Sequence, residues 1–288
     1  MNSKRRQFLL TLGSFAAGAT TLAAQQPGAP TREPIFRVSR ANSIPPENIR
    51  PLDRALQIAR DGLANIRTNI HDYTAVIVKR ERINGVLSEP DYMFAKIRNR
   101  KVANGRVQVP FSVYLVFLKP ASVKGREVVY VEGQNDGKLI AHEGGMKGKW
   151  LPTVPLLPTG ALAMRGQRYP LTEIGVENLI VKLIERGERA RQHPEITCEF
   201  RKNAKLQDRQ CTIIQLNQPR PVSDLGFNRA QVFIDDQLNI PIRYVAYDWP
   251  AQAGGTGGVI EEYNYLDVKV NVGLTDSDFD RNNSNYNF

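Results

Sequence analysis

Apolar residues at Leu52, Ala55, Leu56, Ala59, Leu63, Ile66 and Ile70 recur at spacings of three and four, the period of one helix face. Pro51 suits a first helical turn, where its missing N–H is not needed, so a helix is predicted to open there. From Tyr73 the period shortens to two. The segments 73–83 and 86–98 flank Asn84-Gly85, a dipeptide suited to a tight hairpin. Further strand-like runs follow at 111–118, 126–132 and 138–142, each after a short turn, which predicts antiparallel pairing. A second helix is predicted over 172–189, with Thr172 as N-cap, Glu173 and Glu177 at its positive end, and Ile174, Leu179, Ile180, Leu183 and Ile184 as its apolar side. Strand periodicity returns at 196–201, 211–217, 230–235, 242–248 and 259–271, and the glycine run 254–258 reads as a flexible turn.

Two helices cannot cover both faces of about ten strands. Yet Phe111 to Leu118 is apolar at odd and even positions alike, so both faces of that strand require cover. A first arm of 11 residues reaches roughly 36 Å at strand rise, and strands that long twist and coil. The expected fold is therefore α+β: a strongly curved antiparallel sheet, an open half-barrel, packed against two helices with an apolar cavity between them. Residues 144–170, punctuated by Gly and Pro and carrying Trp150 and Met164, form a long irregular stretch of the kind that serves as a lid or binding loop.

The N-terminus changes the picture. Lys4, Arg5 and Arg6 precede an apolar run from Phe8 to Ala19 and a small-residue end at 21–24, the layout of a cleaved export signal over 1–24. The run is too short for a stable membrane span. Ser3 to Leu9 also resembles the twin-arginine export motif. Residues 25–50, with five prolines, read as a linker, and 51–288 as one domain. The expected location is the periplasm. Three of the chain's ten excess positive charges lie in the leader. The remaining basic residues are dispersed, which argues against nucleic acid and suits a solvated surface or anionic envelope polymers and lipid head groups.

Candidate chemistry is sparse. His71, His142 and His193 are far apart, so no metal ligand set and no cofactor site is expected. There is no G-x-S-x-G elbow and no phosphate loop. Among strand carboxylates, Glu81 and Glu132 could share a face, whereas Glu261 and Glu262 point to opposite faces. Arg165 and Arg168 stand near the predicted start of the second helix, where they either pair with Glu173 and Glu177 or hold an anionic head group. Cys198 and Cys211 flank an apparent turn at 202–208, and in an oxidising compartment they are expected to form a disulfide.

The runs Asp72-Tyr73-Thr74-Ala75, Lys79-Arg80-Glu81-Arg82, Gly125-Arg126-Glu127-Val128, Tyr130-Val131-Glu132-Gly133, Leu162-Ala163-Met164-Arg165-Gly166, Pro170-Leu171-Thr172-Glu173 and Asn271-Val272-Gly273-Leu274-Thr275-Asp276 resemble a bacterial family catalogued as domain of unknown function 1571. The match spans roughly 52–288. That family is similar in fold to LolA/LolB-type periplasmic lipoprotein carriers. The resemblance implies a hydrophobic cavity and a non-enzymatic role in handling lipid or lipoprotein. It carries over no catalytic residues. The expected function is therefore an exported binding protein for a lipid, acyl chain or lipoprotein, with room for an envelope protein partner. Tyr114, Phe117, Val129 and Val131 are the candidate wall residues, and Arg165 and Arg168 the candidate head-group residues. A cell-envelope hydrolase acting on glycans or esters, and a regulatory interaction module, are the alternatives.

Overall fold

The computed structural model describes residues 49–288, apart from Lys149, Ser223, Asp224 and Ala253. The segments expected as a leader (1–24) and, apart from residues 49 and 50, as a linker (25–50) lie outside the described residues. The first helix, α1 (Pro51–Asn69), starts on Pro51 as expected. The strands that follow are β1 (Asp72–Ile83), β2 (Val86–Leu87), β3 (Asp91–Arg98), β4 (Lys101–Ala103), β5 (Arg106–Val109), β6 (Ser112–Lys119), β7 (Glu127–Val131) and β8 (Leu139–His142). A short turn of helix, α2 (Gly145–Gly148), and a short strand, β9 (Val154–Leu156), interrupt the long irregular stretch. After α3 (Val176–Ala190) come β10 (Thr197–Leu206), β11 (Arg209–Asn217), β12 (Arg229–Asp235), β13 (Pro241–Tyr247) and β14 (Val259–Val270).

The main sheet runs β10-β11-β12-β13-β14-β1-β3-β6-β7-β8-β9, with β2 extending β1 and β4-β5 forming a separate hairpin. Neighbours are antiparallel throughout. The first and last strands have free edges, so the sheet does not close into a barrel. Laid flat, eleven strands would span roughly 48 Å. Two adjacent helices shade only about 20 Å. One apolar cluster nevertheless joins Leu206 on β10 to Leu139 on β8 through Ile66 of α1 and Ile180 of α3. The sheet therefore curls around the helices, as its long twisted strands require.

The start of α3 differs from expectation. Residues 171–173 form a 3-10 turn, and the α-helix begins only after Gly175, whose φ of 107° suits glycine. Thr172 is not the cap. The sheet supplies it: Gly175 N–H donates to Tyr265 Oη at 3.1 Å and Val176 N–H to Tyr73 Oη at 2.9 Å. Two otherwise orphaned helix donors are thus satisfied by buried phenols. The helices interlock through missing side chains. A Cβ on Gly187 would lie 2.7 Å from Leu56 of α1, and one on Gly62 would lie 2.9 Å from Ile180 of α3.

The two-sided apolar strand β6 receives two different covers. Val113, Leu115 and Phe117 face the concave side. Tyr114 and the partly buried Val116 face the convex side with Val129 and Val131 of β7, under the C-terminal residues Phe279, Tyr286 and Phe288. The Tyr286 ring stacks on Tyr114 with centroids 3.9 Å apart. Asn287 donates from its backbone N–H and its side-chain amide to the Glu127 carboxylate at 3.1 and 2.7 Å.

The expected disulfide is not formed. The turn is at Gln207-Asp208, later than expected, and a bulge follows Arg201 on β10. Cys198 pairs with Leu216 and Cys211 with Ala204. Six residues of β10, roughly 20 Å at strand rise, separate Cys198 from the residue opposite Cys211. Both cysteines carry free thiols and pack into different apolar clusters. Burial pushes each thiol pKa up to about 12.

Candidate functional site

Between the concave face and α3 lies a cavity of about 650 Å³. Alternation along each strand points one set of side chains into it: Ile77 from β1, Met93 from β3, Leu115 and Phe117 from β6, Val128 from β7 and Leu139 from β8. Ile174 and Leu179 close one side. The roof is the irregular stretch, which contributes Pro152, Val154, Leu156, Pro158, Leu162, Ala163 and Pro170. Pro152, Pro155 and Pro158 keep a helix from running through its middle.

One end of the cavity is polar. Glu81 of β1 and Glu261 of β14 are direct cross-strand partners, each 2% exposed. Tyr263 Oη donates to Glu81 Oε1 at 2.5 Å and lies 3.4 Å from Glu261 Oε2. Arg186, reaching over from α3, donates to Glu261 Oε1 at 2.8 Å and to the hydroxyls of Tyr244 and Tyr169 at 2.5 Å each. The backbone N–H of Arg168 donates to Glu81 Oε2 at 2.9 Å, and its guanidinium stands 3.4 Å from Glu261. Lys79, hydrogen-bonded to Gln167, lies 3.7 Å from Glu81. Two carboxylates thus face three cations, with every carboxylate oxygen occupied, as burial of charge demands. Burial first, then the charges of Glu261 and Glu81, hold the Tyr263 phenol well above its ordinary pKa, so it remains a donor. Burial and Glu261 do the same to Tyr244 and Tyr169.

The residues singled out from sequence separate into two sets. Phe117 and Arg165 line the cavity. Arg168 takes part in the buried network beside it, paired with Glu261 rather than with Glu173 or Glu177. Glu173 pairs with Lys182 and Glu177 with Arg67. Arg165 is exposed at the rim, and no carboxylate among the described residues lies within ion-pair distance of it. Tyr114, Val129 and Val131 are not cavity walls; they belong to the opposite face, beneath the C-terminal residues. Parity is the reason: Tyr114 is three residues from Phe117, and Tyr114 pairs with Val129 and Ser112 with Val131. Glu132 pairs with Arg100 at 3.0 Å and does not share a site with Glu81.

Sequence reasoning missed the Glu81–Glu261 pair, Tyr169 and Arg186. A signal existed in the odd-numbered run Glu261, Tyr263, Tyr265, whose polar start and aromatic continuation lie on one face. Finding Glu81 opposite Glu261 required the β1–β14 register, a pairing of strands 180 residues apart. No group of three or more His, Cys, Asp and Glu arranged to hold a metal occurs among the described residues. No helix among them is long and apolar enough to cross a membrane.

The chain has loose structural likeness to several solved proteins. A DUF1329 family protein from Desulfovibrio piger is 12% identical, with a TM-score of 0.38 over 81% of this chain and 98% of that one. A putative outer membrane lipoprotein-sorting protein domain from Vibrio parahaemolyticus is 13% identical, with a TM-score of 0.38 over 80% and 98%. The Pseudomonas aeruginosa MucA/MucB complex is 13% identical, with a TM-score of 0.41 over 79% and 60%. No curated protein matches the sequence. The profile of the family described as Protein of unknown function (DUF1571) matches residues 70–288, from the end of the first helix through every strand of the sheet, and the chain belongs to that family.

Proposed function

We propose that the chain is a binding protein that holds one acyl chain, or an apolar ligand of similar size, in the cavity beneath the irregular roof. The carrying observation is the hollow of about 650 Å³ walled by Ile77, Met93, Leu115, Phe117, Val128 and Leu139. A 16-carbon chain at close-packed density needs roughly 430 Å³, so one chain fits with space left for a small polar group. Release of water from these walls supplies the driving force. Arg165, exposed at the rim with no carboxylate among the described residues within ion-pair distance, supports an anionic head group there, a carboxylate or phosphate. Arg168 contributes by holding the inner network in place. The leader expected over residues 1–24 supports a periplasmic location for this activity.

The paired carboxylates do not favour a hydrolase. A glycosidase acid or nucleophile needs a carboxylate oxygen free to meet the substrate. Here Arg186, Arg168 and the Tyr263 hydroxyl already occupy the oxygens of Glu81 and Glu261.

The test is native mass spectrometry of the chain purified from the envelope, followed by delipidation and titration with a fluorescent fatty acid. The expected result is a mass excess removed by delipidation and one binding event per chain. A bare polypeptide mass together with no uptake overturns the reading.

A further inference from the structure

The roof of the cavity presents its own apolar surface to solvent. Met146 is 83% exposed, Trp150 86% and Leu157 55%, and Leu151 is also exposed. None of the four lines the cavity, so their exposure is not explained by the ligand site. Six of the twelve exposed large apolar side chains among the described residues fall between Met146 and Leu162. Single exposed apolar residues need no explanation, but a concentration in one segment does.

The charge of the same segment says what would cover it. Residues 144–170 hold four basic residues and no acid. Gly144 packs against the backbone of the Lys124-Gly125 turn, which brings exposed Lys124 beside this segment. An exposed tryptophan with leucine and methionine, in a segment whose own charges are all positive, is the composition that settles at the head-group level of an anionic bilayer. Continuity with the cavity favours the same occupant. Val154 and Leu162 are exposed and also line the hollow, so the roof meets solvent and ligand at once. A bilayer can both cover that surface and supply or receive an acyl chain through it. We propose that the roof segment 144–170 docks the protein on the surface of a bilayer rich in anionic lipid, and that Met146, Trp150 and Leu157 are the side chains that enter the head-group layer. The role given to the bilayer as source or acceptor of the guest rests on the acyl-chain reading; the docking itself does not.

The test uses flotation of the full chain with two kinds of vesicle, phosphatidylcholine alone and phosphatidylcholine mixed with phosphatidylglycerol. The expected result is stronger partitioning to the anionic vesicles by at least about tenfold at low salt, falling as salt is added. The triple variant M146S/W150S/L157S is expected to lose about tenfold or more in partitioning while taking up monomeric fluorescent fatty acid from vesicle-free buffer as the parent does. Emission from Trp150 in the otherwise unaltered chain, read as the difference between parent and W150F spectra, is expected to shift blue on the anionic vesicles; this readout stands even if the triple variant folds poorly. Equal partitioning of parent and triple variant, or no vesicle binding by the parent, overturns the proposal. So does a parent dimer that the substitutions dissolve while vesicles are ignored, since the surface would then belong to a second copy. Loss of fatty-acid uptake by the parent with vesicle binding intact would instead count against the acyl-chain reading alone.

Discussion

Across β11–β13 the concave face lies under α1 and α3, whereas across β3–β8 it lies under a proline-bearing segment with little regular structure. In the first region Leu52 and Ala55 of α1 and Ala190 of α3 meet Ile214, Val232, Tyr244 and Ala246, and glycines admit the partner helix at Gly62 and Gly187. In the second region equally apolar strand residues face a hollow. Strand patterning is alike in both. What differs is the cover: the side chains of the helices leave a void of only about 60 Å³ against these strands, whereas the irregular roof leaves about 650 Å³. The Glu81–Glu261–Arg186 network stands at the boundary between them and ties α3 to the central strands.

The largest expected effect comes from breaking that boundary. Glu261→Leu removes the carboxylate that compensates buried Arg186 and is expected to cost about 3–5 kcal/mol in urea unfolding; a loss under about 1 kcal/mol would show the network to be dispensable. Next come deletions on either side of it. Leu56→Ala in the filled region is expected to cost about 3–4 kcal/mol, and Leu115→Ala in the hollow region about half as much, because Leu115 already lacks neighbours on its cavity side. Equal losses would mean that the two regions are packed alike. Additions should reverse the order. Ala246→Leu overpacks the filled region and is expected to cost about 1–3 kcal/mol, while Ala141→Leu, facing the cavity, should change stability by less than about 0.5 kcal/mol.

At neutral pH the smallest effect concerns the thiols, which are protonated there in the folded and the unfolded chain alike. Ordinary cysteines ionise near 9.0, and burial holds Cys198 and Cys211 protonated up to about 12. The unfolded chain therefore releases protons that the folded chain keeps, and stability falls as pH rises from 9 towards 12. The melting temperature should be the same with and without a thiol reductant. A drop on reduction would reinstate a disulfide.

The parts of this fold legible in the sequence were those fixed locally. Pro51 and the spacing of Leu52, Ala55, Leu56 and Ile66 located α1. Asn84-Gly85 located the β1–β2 turn, with both residues at positive φ. The same dipeptide at Asn104-Gly105 turns the β4–β5 hairpin, which was overlooked because that hairpin is largely exposed and lacks strand alternation. Too few helices for so apolar a sheet correctly implied uncovered surface. It did not reveal that the second face of β6 is covered by Phe279, Tyr286 and Phe288 from the far end of the chain. The candidate wall residues Tyr114, Val129 and Val131 failed for a related reason. A strand apolar on both faces carries no parity signal, and only contacts with distant segments decide which face is which. The start of α3 was hidden similarly, since its cap comes from Tyr73 and Tyr265 in strands far away in sequence.

The claim that most depends on this comparison is that the hollow region has room for a guest. Leu115→Trp directs an indole into the cavity from the middle of β6, where the parent leaves empty space. Titration of the delipidated parent and this variant with a fluorescent 16-carbon fatty acid tests the claim directly. The account predicts one site in the parent and at least about tenfold weaker binding in the variant, with the fold retained. Unchanged binding in Leu115→Trp, or none in the parent, would contradict it.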